Sequence, residues 1–369
     1  MKYELKTITP LHIGTGSKYS RAEFVLKDGK LHRVSLDKLL KKLSEDQIGD
    51  LTDRLEDYSF SLADFLRGKD INPADITKYV SKFEEDAGVK EISEQIKTSN
   101  RAYIPGSSIK GAIRTAITYN ILKEDYSILD NELKRIKDNR RLIEDLNRNM
   151  TRSPAFKDKR FSKELERVMS SVEGKVLRGI KNDAKYDLLK FLKITDSSTT
   201  ERLSILAVKS VGMSQEGRSY SQIEAIDKGV ILDGDLVLDP FKLNELGLSD
   251  KAKYLDKKFI LNAIYTFAED LKKLEMEYAE EHNLDANYFY ESEFDNQQNS
   301  PLLRMGADKG FLSNTIDLLI RINDPDFYRY LRFAAWRSYP DGFPKTRKFI
   351  FEDGKPKYPL GWVKLQVRD

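Results

Sequence analysis

A short segment of the chain combines the residue types that bind anions. Residues 101–114 read RAYIPGSSIKGAIR, which places Ser107 and Ser108 at a predicted helix start and Lys110 and Arg114 in the first two turns. A helix N-terminus carries a partial positive charge, so cations there are mildly unfavourable unless something negative lies nearby. Free N–H groups, hydroxyls and cations can converge on a phosphate. The segment therefore predicts an anion site, and helix capping by either serine is the alternative interpretation.

Two other segments place glycine next to basic residues. The first is LHIGTGSKYSR, with Gly14, Gly16 and Lys18 after the first predicted strand. The second is LLRMGADKGFLSNT, late in the chain, and its members are Arg304, Gly306, Lys309 and Gly310. Glycine leaves backbone N–H groups open to a phosphate. A dinucleotide-binding fingerprint is excluded for the first segment, because the helix that this fingerprint requires does not follow it.

Two further residues have both a chemical and a structural interpretation. His12 precedes the first glycine segment and could act as a general base that activates a 2′-hydroxyl, although a lone histidine at a strand end more often packs or binds. Arg347 stands between Lys345 and Lys348 in a basic run before a predicted strand. That run is either a polyanion contact or a sheet edge protected by charge.

The composition excludes several classes of site. The 369 residues include no cysteine and three histidines that are far apart, so zinc knuckles, disulfide frameworks, thiol nucleophiles and histidine-rich metal sites are excluded. We therefore expect neither a metal site nor a cofactor. The sequence has no signal peptide and no apolar run long enough to span a membrane, so we expect a cytoplasmic protein without a membrane partner.

The charge distribution is more informative than the net charge of +3. Residues 134–185 contain 16 basic and 8 acidic residues, whereas the rest of the chain is slightly acidic. A basic block on an acidic body favours a polyanion partner, and a solvated helical insertion is the equally weighted alternative. Because apolar residues are sparse in this block, we expect it to project from the fold as an insertion or mobile arm.

The elements that position these residues read as two α+β units. Period-two patterns predict strands near both termini and in 188–238, and Asp28-Gly29 predicts a hairpin turn. Apolar residues at helical spacing predict a helix from residue 106 and another over about 257–282. Residues 45–97 are predicted to be mostly helical and to interrupt the sheet. The expected fold class is α+β, with helices on one face of an antiparallel sheet in each unit.

The combination of motifs resembles the RAMP superfamily of CRISPR proteins, and within it the pattern is most similar to the fifth subunits of type III-A Csm effector complexes. The motifs occur in both halves of the chain in the family's order: TPLHIGTG, YIPGSSIKGAIR, ITDSS, RMGADKGFLSNT and PLGWVKL. The resemblance implies two ferredoxin-like (RRM-like) domains with helical insertions, over residues 1–186 and 187–369.

The resemblance also implies a function. A non-catalytic, RNA-binding subunit is expected to cap the backbone filament, to bind the 3′ part of the CRISPR RNA (crRNA) and to support maturation of that end. Its expected partners are crRNA, the backbone and small subunits, and nucleases recruited in trans. The predicted RNA-binding residues are His12, Gly14, Gly16, Lys18, Ser107, Ser108, Lys110, Arg114, Arg304, Gly306, Lys309, Gly310 and Arg347.

Three alternatives stay open at this point. Asp308 departs from the glycine-rich pattern of the late loop and would repel a phosphate, so that loop could instead pack against a neighbouring subunit. The chain could be a metal-independent endoribonuclease that uses His12 on precursor RNA. It could also be a structural subunit that makes no RNA contact.

Overall fold

The computed structural model describes residues 1–57, 59–83, 89–150, 158–212, 220–282, 288–334, 344, 346–352 and 355–368. Lys345 of the predicted basic run lies outside these ranges. Among the described residues, every helix is too short or too polar to cross a lipid bilayer.

The first elements are a strand, a hairpin and short helices. The strands are β1 (Lys2–Thr7), β2 (Gly14–Ser20), β3 (Phe24–Lys27) and β4 (Lys30–Val34). The helices are α1 (Leu36–Leu40), α2 (Glu45–Leu55) and α3 (Leu62–Leu66), followed by a 3-10 turn at Pro73–Ile76. The hairpin prediction is confirmed, because Asp28 and Gly29 between β3 and β4 have φ angles of 50° and 67°.

The middle of the chain adds short strands and then four helices. The strands are β5 (Thr77–Phe83), β6 (Glu91–Gln95), β7 (Lys97–Thr98) and β8 (Arg101–Ala102). The helices are α4 (Gly106–Glu124), α5 (Ser127–Lys137), α6 (Arg140–Met150) and α7 (Lys159–Leu177). The prediction that residues 45–97 are mostly helical and interrupt the sheet is wrong for β5 and β6. Their charged side chains lie on an exposed face, which hides the strand pattern.

The remaining elements follow two 3-10 turns, Ala184–Tyr186 and Leu188–Phe191. The strands are β9 (Leu192–Ile194), β10 (Leu203–Val211), β11 (Tyr220–Ile226) and β12 (Ile231–Leu238). After 3-10 turns at Asn244–Leu246 and Ser249–Leu255 come α8 (Lys257–Glu281), a π-helical turn (Phe289–Glu293) and β13 (Leu302–Arg304). The chain closes with α9 (Asp317–Asn323), α10 (Pro325–Tyr328), α11 (Leu331–Ala334), β14 (Arg347–Glu352), β15 (Lys355–Pro359) and β16 (Trp362–Arg368).

The strands form two large sheets. One has five antiparallel strands in the order β13-β16-β1-β12-β9. The other has nine strands, with β2-β6-β11-β10-β5-β4-β3 in order and β14-β15 attached through β10. Both sheets take strands from either side of residue 186, so the predicted boundary at residues 186 and 187 does not separate the sheets, and it stays a prediction. The α+β class is confirmed.

The main core lies between the five-stranded sheet and the helices α4 and α8. The apolar face predicted for α4 is buried there, from Ile109 to Ile117. Tyr119, which is buried, and Lys123, both of α4, donate hydrogen bonds of 2.8 and 2.6 Å to Asp270 of α8. Helix α4 is therefore held on the sheet by apolar packing, and two hydrogen bonds to Asp270 fix its position against α8.

The basic block of residues 134–185 is part of this core. Helices α6 and α7 contribute buried Leu146, Phe161 and Val172 to the same cluster as α4, and α5 contributes buried Leu133 and Ile136. The prediction of a projecting arm is therefore wrong for the described residues. The apolar positions are sparse, but they recur at helical spacing, so each helix buries one face and keeps its charges outside.

Candidate nucleic-acid interface

The first glycine segment is an exposed sheet edge. Residues 14–18 form most of β2, and all five are exposed, including Gly14, Gly16 and Lys18. The strand pairs only with β6 in the described structure, and its register shifts between Gly14 and Lys18. Gly16 has a φ of 87° with open space around it. The glycine segment that follows β1 is thus a bulged edge strand, which presents unpaired backbone groups to a partner.

The late glycine loop packs against the base of this edge. The Ala307 N–H donates a hydrogen bond of 2.8 Å to the carbonyl oxygen of His12. Gly306 has a φ of 85°, and a Cβ there would lie 2.5 Å from the same oxygen. Only glycine fits this approach. The two segments, nearly 300 residues apart in the sequence, are therefore in direct contact.

His12 lies at the centre of this junction and is buried, with 4% of its surface exposed. Its Nδ1 is 2.6 Å from the carbonyl oxygen of Glu224, which can only accept, so Nδ1 carries the proton. Burial lowers the pKa of His12 and keeps the ring neutral. A Cβ at Gly14 would lie 3.0 Å from Nε2 of His12, so the start of β2 packs against the ring.

A buried carboxylate that the sequence did not indicate supports the same edge. Glu224 of β11 is fully buried, and it accepts hydrogen bonds from Tyr19 of β2 (3.1 Å), from the backbone N–H of Gln95 (3.1 Å) and from Lys97. Gln95 accepts from the Ile13 N–H at 2.8 Å. The lysine balances the carboxylate charge, and the whole network ties β2 to the interior of the nine-stranded sheet.

The start of α4 already has a carboxylate of its own chain. Asp196, in the ITDSS motif, accepts a hydrogen bond of 2.8 Å from the Gly106 N–H. Neither Ser107 nor Ser108 caps the helix, because Pro105 is the N-cap residue and makes no side-chain hydrogen bond. Ser107 is exposed and Ser108 is partly exposed. The predicted anion at this helix start is thus supplied internally, and both hydroxyls stay available to an external one.

The two cations in the first half of α4, Lys110 and Arg114, have different environments. Arg114 donates to Glu173 of α7 (3.0 Å) and to Asp187 (3.2 Å). Lys110, one turn earlier, is half-buried and makes no hydrogen bond or ion pair with the described part of the chain. Burial lowers the pKa of Lys110, and the charge of Asp187 opposes that shift. Lys110 is therefore available to a phosphate, whereas Arg114 holds α4 to α7.

Two arginines of the predicted RNA-binding set lie inside the protein. Arg304 and Arg347 are 5% and 4% exposed, and both donate to the buried carboxylate of Glu275 in α8, at 3.2 and 2.8 Å. Arg304 belongs to β13 and Arg347 to β14, so the triad links the two sheets through α8. This geometry favours a structural role beneath the late loop.

Lys309 and Asp308 of the late loop also have partners inside the chain. Lys309 is 8% exposed and donates to the backbone carbonyl of Arg304 at 3.3 Å. Burial and the charge of Arg304 lower the pKa of Lys309 to about 8. Asp308 has a φ of 60° and accepts from Lys348. The charge expected to repel phosphate is thus paired, and Gly310 is the open position of this loop.

The chain after Gly310 faces α4 across a cavity of about 630 Å³. Phe311, Asn314 and Thr315 line this cavity together with Arg114 and Thr118 of α4. The three predicted segments therefore lie along one continuous region of the protein: β2, the late loop packed on its base, and the polar side of α4. Among the described residues, no group of three or more His, Asp or Glu side chains is arranged to hold a metal ion.

The residues that sequence reasoning missed are mainly buried carboxylates. Glu224 interrupts the apolar residues of the segment IEAI, and Glu275 falls on the apolar face of α8. A charged residue at a core position is a signal that could have marked both, because such a residue needs a partner. Asp196 belongs to the ITDSS motif, but nothing nearby in the sequence indicates that its carboxylate accepts a hydrogen bond from the Gly106 N–H.

Comparison with known sequences shows one family. A sequence profile described as the RAMP superfamily matches residues 4–272. A protein of Methanocaldococcus jannaschii named CRISPR system Cms protein Csm5 is 26% identical over 401 aligned residues, covering 100% of this chain and 89% of that protein. A Streptococcus thermophilus protein of the same name is 29% identical over 159 residues, covering 38% of this chain and 44% of that protein.

Comparison with solved structures shows the same fold. A chain from the cryo-EM structure of a Csm–crRNA–target RNA ternary complex of a type III-A CRISPR-Cas system matches with a TM-score of 0.74 and 22% identity, covering 99% of this chain and 100% of that chain. The crystal structure of T. onnurineus Csm5 matches with a TM-score of 0.68 and 22% identity, over 98% and 99% of the two chains. The agreement extends over essentially the whole chain.

Proposed function

Because this chain belongs to the RAMP superfamily, as its motifs predicted, we propose that it is a non-catalytic RNA-binding subunit of a type III-A Csm effector complex. Full-length similarity to a Csm5 protein and a fold shared with a chain of a Csm–crRNA complex support this assignment. In this proposal the chain caps the backbone filament and contacts the backbone and small subunits. It binds the 3′ part of the crRNA and supports maturation of that end by nucleases recruited in trans.

The observation that carries the RNA-binding proposal is the exposed glycine edge of β2, with the late glycine loop hydrogen-bonded to its base. The open, exposed backbone at Gly16 suits phosphate oxygens, and Lys18 adds positive charge beside it. Lys18 makes only an exposed ion pair of 3.2 Å with Glu91, which a phosphate can replace at little cost.

The second part of the proposed surface is the start of α4. Lys110 has no partner in the described chain, and the Ser107 and Ser108 hydroxyls lie one turn before it. These groups can contact phosphates and 2′-hydroxyls. Because every nucleotide of an RNA carries both, such binding depends little on the RNA sequence. This fits a subunit that must hold guide RNAs of many sequences.

The proposal includes the absence of catalysis by this chain. His12 is the residue on which the alternative of an endoribonuclease depends, and it is buried and bonded to a backbone carbonyl. We expect no metal-free cleavage when the purified chain is incubated with labelled precursor RNA. Clean cleavage that is lost in the His12→Ala variant would support the nuclease instead.

The test of RNA binding uses a labelled RNA with the sequence of a crRNA 3′ portion. We expect the double variant Lys18→Ala/Lys110→Ala to bind this RNA about tenfold more weakly than the wild type. The slope of log affinity against log salt concentration should fall by the equivalent of about two phosphate contacts. The matched control is Lys273→Ala, which removes an exposed lysine of α8. An unchanged affinity in the double variant would remove these residues from the RNA interface.

A further inference from the structure

The cavity between α4, α7 and the chain after Gly310 has a chemistry of its own. Its volume of about 630 Å³ lies in the range of roughly 300–1,000 Å³ that is usual for ligand sites. Apolar side chains line much of it, among them Leu165 and Met169 of α7, Ile316 just before α9, and Leu331 of α11. A long aliphatic group could be desolvated against these walls.

The charged groups of the cavity are mostly carboxylates. Asp317 lines the wall, is 8% exposed, and has no ion pair with any described residue. Glu166 is exposed on the same lining and has no ion pair in that part of the chain either. Arg114 is the one cation among the described lining residues, and it is already paired with Glu173 and Asp187. The described walls therefore carry uncompensated negative charge.

A buried carboxylate without a cation is costly. Burial raises the pKa of Asp317 to about 6, and the Thr315 hydroxyl opposes the shift only in part. A bound cation would remove this penalty, whereas an RNA phosphate would be repelled by both Asp317 and Glu166. Apolar walls together with an unpaired carboxylate match a lysine or arginine side chain, which has an aliphatic stem and a charged head.

We propose that this cavity receives a lysine or arginine side chain from a neighbouring protein subunit, with its stem against Leu165 and Met169 and its charged head at Asp317. The inference rests on the proposed function, because it requires a multisubunit complex. In this proposal the side of α4 that faces α7 contacts a neighbouring protein subunit, whereas β2 and Lys110 contact the RNA. The two surfaces meet along a single helix.

The first test is photocrosslinking in the reconstituted complex. Benzoylphenylalanine replaces Ser170, an exposed residue that lines the cavity, and Phe241, which is 71% exposed outside it, serves as the control position. We expect the Ser170 position to crosslink to a protein peptide that contains lysine or arginine. A crosslink to RNA, or no crosslink in an assembled complex, would overturn the inference.

The second test removes the charge with little change of shape. Asp317→Asn is expected to keep the fold and the RNA affinity of the isolated chain and to weaken its association with the other subunits about tenfold. The control is Asp326→Asn, at an exposed acidic position of α10. Wild-type association of the Asp317→Asn chain would refute the inference and leave the proposed function intact. Failure of the wild-type chain to join the complex or bind RNA would refute both.

Discussion

The two cations in the first half of α4, Lys110 and Arg114, should respond differently to removal, although both are predicted to bind an anion. Arg114 has 30% of its side chain exposed and pairs with Asp187, whose side chain is 11% exposed, and with Glu173, at 34%. Arg114→Ala leaves a nearly buried carboxylate without its cation. Lys110→Ala breaks no contact within the described chain. We therefore expect Arg114→Ala to affect folding and Lys110→Ala to affect RNA binding.

The expected size for Arg114→Ala lies between two limits. Exposed ion pairs contribute roughly 0.2–1 kcal/mol, and breaking a fully buried pair costs about 3–5 kcal/mol. Since Asp187 is nearly buried and Glu173 is not, we expect a loss of about 1–3 kcal/mol in the free energy of unfolding. Lys110→Ala should change this free energy by less than about 0.5 kcal/mol.

The assay pairs urea denaturation of each variant with RNA binding at several salt concentrations. Lys110→Ala should reduce the salt slope of binding by about one phosphate contact. Arg114→Ala should leave that slope unchanged under conditions where the variant is folded. The reasoning is refuted if Arg114→Ala unfolds like the wild type while its RNA affinity and salt slope fall as far as those of Lys110→Ala.

Three further predictions concern the supports of the surface. Glu275→Leu leaves two buried arginines unpaired and should cost about 3–5 kcal/mol in urea denaturation, whereas the exposed control Glu277→Gln should cost almost nothing. Gly106→Ala would put a Cβ 2.3 Å from a strand carbonyl oxygen and should destabilise by about 1–3 kcal/mol. Gly111→Ala, at an open position of the same helix, should stabilise by up to about 1 kcal/mol, and the opposite ranking would contradict the close packing. The pKa of Lys309, lowered to about 8, lies below the unfolded value, so the unfolded state binds more protons between pH 8 and about 10. Wild-type stability should therefore rise with pH relative to Lys309→Met over that range, and parallel curves would count against a buried lysine.

Local signals in the sequence were enough for several elements. The apolar spacing of α4 and α8 and the Asp28-Gly29 turn each depend on residues close together in the chain. Strands β5 and β6 were missed because alternating charged residues there resemble an exposed helix as much as a half-exposed strand. The basic helices were misjudged because the charge count hid apolar positions that recur every three or four residues.

The candidate site was only partly predictable for a different physical reason. Glycine and lysine in β2 and at α4 indicate an anion partner from their own chemistry, without knowledge of the fold. In the sequence, Arg304, Arg347 and Arg114 indicate an anion partner just as the lysines do. The folded chain instead places carboxylates of its own beside these arginines through tertiary packing. Which cation is free and which is paired therefore depends on long-range contacts that the sequence does not display.

The central claim is that RNA lies on the β2 edge and the start of α4. The most direct measurement is RNA–protein crosslinking in the assembled complex, with 4-thiouridine along the 3′ portion of the crRNA and mass spectrometry of the crosslinked peptides. We predict crosslinks to the peptides that contain residues 14–18 and 107–110, and none to the buried Arg304 and Arg347. An assembled complex in which this chain crosslinks to no RNA, or only outside these two segments, would contradict the claim.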